Sequence, residues 1–95
     1  MRDIISLSDY CVIVFPSTSQ AMKAEKVLKS VEAEFVMMPT PREISTSCGL
    51  AVKFRPQKTD EYCQVLAENQ VLIEGVYHIT RDGKRAAVVK IFPQG

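Results

Sequence analysis

Six consecutive residues, "YCVIVF" at 10–15, are apolar on both faces of any strand they form: Cys11, Ile13 and Phe15 on one, Val12 and Val14 on the other. A run this short, rich in β-branched residues and stopped by Pro16, reads as a buried strand. A strand apolar on both faces belongs inside a sheet, with cover above and below it. A chain of 95 residues has material for one such core, so a single domain over residues 1–95 is expected.

The rest of the chain supplies that sheet's partners. Ser17 and Gln20 stand at the spacing of a capping box, and Ala21, Ala24, Val27, Leu28 and Val31 then recur at helical spacing. Lys23, Lys26 and Lys29 share the opposite, solvated face. Residues 34–38 read as a second strand, "PTPREISTS" as a loop, and residues 49–54 as a third strand with Leu50, Val52 and Phe54 alternating against Ala51 and Lys53. Thr59 or Asp60 caps a second helix that turns Tyr62, Val65 and Leu66 inward and ends near Asn69. A last hairpin turns at Asp82-Gly83. The order β-α-β-β-α-β predicts an α+β, ferredoxin-like sandwich, with two helices on one face of an antiparallel sheet and an extra C-terminal hairpin strand. Helices on one face leave Val12, Val14 and Ala51 on the other needing cover, so self-association through the open sheet face, giving a homo-oligomer, is expected.

Charge and composition exclude several functions. Twelve basic residues against eleven acidic ones leave no field to draw nucleic acid or an anionic membrane. The aromatics Tyr10, Phe15 and Phe54 lack the basic signature of an RNA-stacking sheet. No apolar run reaches the length of a membrane span, and Asp3 and Asp9 interrupt the first residues, so the chain reads as mature and cytoplasmic. Three cysteines without CxxC spacing fit neither a disulfide scaffold nor a zinc site. His78, alone, has no co-ligand nearby in sequence; no metal and no cofactor is expected.

Cys48 is the residue whose setting invites chemistry. It follows Ser45, Thr46 and Ser47 and precedes Gly49 and an apolar strand. In the predicted topology the third strand starts where the first ends, so Cys48-Gly49 falls beside Pro16, Ser17 and Thr18, at the N-terminus of the first helix. Unpaired N–H groups and the helix dipole stabilise an anion such as a thiolate there. Arg42 adds positive charge if the loop folds back, the hydroxyls of Ser45, Thr46 and Ser47 can donate to sulfur, and Gly49 leaves an approach open. Cysteine is also among the most often buried residues, so composition and spacing leave a core role and a reactive role both open. Cys11, inside a strand, and Cys63, beside Tyr62, read as core residues. Glu43 reads either as an acid–base group near Cys48 or as the partner of Arg42.

The segments "FPST" at 15–18, "AEKVL" at 24–28, "PTPREISTSCGLAVKF" at 39–54 and "EGVYHI" at 74–79 resemble the selenium/sulfur carrier-like family of small bacterial proteins, found alone or fused to a sulfur-transfer domain. The most specific block is P-x-P-R-E-I-S-x-S-C-G, and the likeness covers about residues 10–80. The resemblance implies a cysteine that carries sulfur or selenium, and the motif cysteine falls on Cys48. It implies a persulfide or selenosulfide relay, with a desulfurase-like donor protein and an acceptor protein as partners, Thr18 and nearby amides orienting the sulfur and Arg42 favouring the anion. The competing reading is a non-catalytic regulatory or interaction module that dimerises and does no chemistry at sulfur.

Overall fold

The computed structural model describes residues 8–44 and 48–92. The elements are β1 (Asp9–Val14), α1 (Thr18–Ser30), β2 (Val36–Pro39), β3 (Leu50–Phe54), a single 3-10 turn at Pro56–Lys58, α2 (Thr59–Glu68), β4 (Gly75–Asp82) and β5 (Arg85–Phe92). The strands form one sheet in the order β2-β3-β1-β4-β5, and every neighbouring pair is antiparallel. The α+β class, the antiparallel sheet and the extra edge strand therefore follow the expected pattern.

β1 lies at the centre because it is apolar on both sides. Cys11, Ile13 and Phe15 join Val52, Phe54 and Val76 under Ala21, Ala24 and Leu28 of α1 and Tyr62 and Leu66 of α2. Both helices thus cover the same face. The other face is also closed: Tyr10, Val12, Val14, Ala51 and Ile79 are all buried. Part of that cover is Ile44, from the loop between β2 and β3, which is itself only 5% exposed. This corrects the expectation of an open face. Val12, Val14 and Ala51, on which self-association was predicted, are buried within one chain, because the motif-bearing loop folds across the sheet instead of standing off it. Tyr10, Phe15 and Phe54 are likewise buried, so these strands offer no stacking platform for bases.

Several local signals were read only in part. Ser17 does cap α1, its Oγ accepting from the Gln20 N–H at 3.4 Å. The Gln20 side chain does not complete the capping box; its Oε1 accepts from the Leu72 N–H at 2.9 Å. Neither Thr59 nor Asp60 caps α2: Lys58 takes the N-cap position without a side-chain bond, and the Thr59 hydroxyl turns back to the Pro56 carbonyl at 2.7 Å. The preceding 3-10 turn leads the chain directly into the helix and removes the free end that a cap would serve. The hairpin turn falls one residue later than expected, on Gly83-Lys84, because Asp82 still pairs with Arg85. Gly83 supplies the positive φ, +61°.

Both helices end in Schellman motifs without glycine. In α1 the Glu32 N–H bonds the Lys29 carbonyl and the Ala33 N–H bonds the Leu28 carbonyl; in α2 Gln70 bonds Ala67 and Val71 bonds Leu66. Glu32 and Gln70 accordingly take φ of 56° and 62°. The second turn drives Val71 into the core and sets residues 71–73 alongside α2.

The closed second face makes a direct prediction. Ile44→Ala should cost about 2–4 kcal/mol, as for other buried Ile truncations, and lower the urea midpoint with little change in slope. A loss below about 0.5 kcal/mol, the range of ordinary surface changes, would mean that Ile44 does not seal the face.

Candidate functional site

β1 ends at Val14, opposite Ala51 of β3 and Gly75 of β4. Cys48-Gly49 leads into β3 at that same end of the sheet, where the chain leaves β1 and starts α1. The predicted juxtaposition of the turn with the residues around Ser17 and Thr18 is therefore present at the level of topology. Cys48 continues the alternation of Leu50, Val52 and Phe54, so its side chain points to the helix-covered face and lies in one buried cluster with Phe15 and Ala21.

The sulfur is turned inward. Cys48 is 3% exposed, and its Sγ donates to the Leu50 carbonyl at 3.4 Å. Its backbone is clamped by a residue that sequence reasoning missed. The Thr40 hydroxyl donates to the Cys48 carbonyl at 2.9 Å, and the Thr40 N–H donates to the Gly49 carbonyl at 3.0 Å. Thr40 directly follows Pro39, the last residue of β2, so these bonds extend the β2–β3 ladder past its end. Only the strand register reveals this role; a threonine between two prolines carries no such signal.

The remaining predicted residues divide. Gly49 is exposed, has no positive φ, and a Cβ built there meets nothing within 4 Å. Among the described residues neither backbone conformation nor packing demands glycine, and the alternation puts its open space on the face opposite the inward Cys48 sulfur. Thr18 opens α1 and is exposed, while the Ser17 hydroxyl is engaged in capping. Arg42 is exposed in the turn after Pro41. Its neighbour Glu43 pairs with Arg81 of β4 at 3.9 Å rather than with Arg42, and Arg81 donates through Nε to the Tyr10 hydroxyl at 3.0 Å. Lys53 lies over the same Tyr10 ring, 4.3 Å from its centroid. Ser45, Thr46 and Ser47 lie outside the described residues.

The other two thiols have different settings. Cys11 is buried in β1 and accepts from the Thr59 hydroxyl at 3.5 Å; burial pushes its thiol pKa up. Burial, with added repulsion from Asp60 and Cys11, does the same for Cys63 on α2. His78 faces Asp9, with 2.5 Å between Nε2 and Oδ1. No group of three or more His, Cys, Asp or Glu side chains among the described residues could hold a metal ion.

Two outcomes follow. Thr40→Val, which keeps the backbone bond but removes the hydroxyl, should lower stability by about 0.5–1.5 kcal/mol and speed iodoacetamide labelling of Cys48, with Thr40→Ser restoring both; unchanged labelling would dismiss the clamp. For Cys11 and Cys63, a raised folded pKa means that the unfolded thiols ionise first. Their contribution is whole below the ordinary value of 9.0 and is lost as pH rises through the raised values. Urea midpoints should fall above that pH, and fall less in a Cys11→Ala, Cys63→Ala double variant.

No curated protein and no solved structure matches the chain. The family described as "Putative Se/S carrier protein-like" matches residues 10–78, which run from β1 into β4 and include Cys48 and its turn but not β5. That match spans well over half of the sequence, and the chain belongs to this Se/S carrier protein-like family.

Proposed function

We propose that the protein is a sulfur or selenium carrier that holds the atom on Cys48, using a ferredoxin-like βαββαβ scaffold with one appended strand. The family match across the Cys48 turn carries this reading. It is supported by the position of Cys48 where a loop meets a strand, at the end of the sheet where the chain leaves β1 and starts α1. The P-x-P-R-E-I-S-x-S-C-G block is the working part, with Arg42, Ser45 and Ser47 on the loop and Ser17 and Thr18 at the helix start as supporting groups. No helix among the described residues is long and apolar enough to cross a membrane, which fits a carrier working in the cytoplasm between two proteins.

The transfer is a thiol–persulfide exchange. The Cys48 thiolate attacks the outer sulfur of a donor persulfide, as on a desulfurase. A bond forms between the Cys48 sulfur and that atom, the donor's S–S bond breaks, and the donor leaves as a thiolate. An acceptor nucleophile then takes the same outer atom and Cys48 leaves as thiolate, so no oxidant or reductant is consumed. A selenium atom follows the same steps through a selenosulfide. Because Cys48 is 3% exposed, exchange requires the turn to lift its sulfur away from the Leu50 carbonyl.

That same burial favours a second reading, a non-catalytic regulatory or interaction module in which Cys48 only packs. Incubation with a cysteine desulfurase and cysteine, followed by intact mass, separates the two. The carrier gains one sulfur atom, reversed by thiol reductant, retained in Cys11→Ser and Cys63→Ser and absent in Cys48→Ser. A wild-type protein that gains no sulfur while the desulfurase turns over is the module.

A further inference from the structure

Away from Cys48, α2 and the segment that follows it enclose a second feature. A cavity of about 390 Å³ is lined by Cys63, Gln64 and Ala67 of α2 and by Val71, Leu72 and Ile73. Its walls are almost wholly apolar, and Leu72 on its rim is 62% exposed. The segment is held in place: the Schellman turn at Gln70 directs it back, Lys23 donates to the Gln70 carbonyl at 3.1 Å, and Gln20 accepts from the Leu72 N–H. The cavity is therefore built into the helix end rather than left by a loose loop.

The α2 wall of the cavity is acidic, while Lys23 stands at the opposite wall on the Gln70 carbonyl and Lys58 pairs with Glu61. Asp60, Cys63, Gln64, Ala67 and Glu68 follow one another at helical spacing, so the cavity lies between two exposed carboxylates separated by about 12 Å along the axis. α2 carries Asp60, Glu61 and Glu68 and no basic residue from Thr59 to Glu68. An apolar hole flanked by anions fits an apolar side chain flanked by cations about two helical turns apart.

We propose that this face of α2 is a docking surface for a basic amphipathic helix of a partner protein, whose apolar anchor fills the cavity while its Lys or Arg side chains meet Asp60 and Glu68. A second copy of the chain is the weaker occupant. Its α1 presents Met22 among lysines, but joining α1 to α2 is a heterologous contact that propagates or must close into a ring. The surface does not depend on Cys48 chemistry.

The test uses the full chain carrying Cys48→Ser, with Cys63 as the reporter inside the cavity. The probe is a synthetic helical peptide of Leu and Lys, with a Leu/Glu peptide of the same pattern as control. Iodoacetamide modification of Cys63, read by peptide mass at mildly alkaline pH, should slow by about tenfold at a Leu/Lys peptide concentration about ten times its Kd, where about nine-tenths of the sites are filled. Asp60→Asn with Glu68→Gln should remove most of that protection, and Leu72→Ala should weaken it, while circular dichroism stays native. The proposal is overturned if the Leu/Glu peptide protects equally, or if protection survives loss of both carboxylates. It is also overturned if a small apolar alcohol protects where the peptide does not, or if Cys63 becomes protected with rising protein concentration alone.

Discussion

The pairing of β1 on both edges and its burial on both faces is the constraint from which the other elements take their places. Cys11 through Val14 pair with β3 on one side and with β4 on the other, and none of these four side chains is more than 1% exposed. A strand in that position requires helices on one face and other cover on the second. α1 and α2 supply the first, and Ile44 takes part in the second. The loop between β2 and β3 is therefore a structural member of the core.

That place in the core shapes the candidate site. Ile44 anchors the loop in one core cluster, and Cys48 places its sulfur in the other. Between the loop and β4, Glu43 stands within ion-pair range of Arg81, and Arg81 donates to the Tyr10 hydroxyl, a weak tie between the loop and the sheet beside the Ile44 anchor. At the turn itself Thr40 holds the backbone of Cys48 and Gly49. The Cys48 sulfur is thus folded inward from a backbone that Thr40 holds at two points.

Helix endings matter as much as helix starts here. Ser17 caps α1 because side chain, spacing and following helix pattern all point one way. The endings were silent: Glu32 and Gln70 adopt a left-handed conformation that glycine usually takes, and tertiary packing of Ala33 and Val71 is what holds them there. The second of these turns creates the wall of the α2 cavity, so that surface could not be read from residue order. Glu43 shows the same limit. Residue order offers Glu43 either a place near Cys48 or its neighbour Arg42, yet the ion pair it makes is with Arg81, thirty-eight positions away and brought close by the sheet.

The sequence by itself determined the strand and helix order, the central place of β1 and the capping of α1 by Ser17, because apolar periodicity, proline stops and a capping hydroxyl are encoded in neighbouring residues. Tertiary structure alone decided that the second sheet face is closed, that Thr40 clamps the Cys48 turn and that α2 borders a cavity. Each of those depends on which distant segments the register of the sheet places side by side, and no local pattern of residues specifies that register.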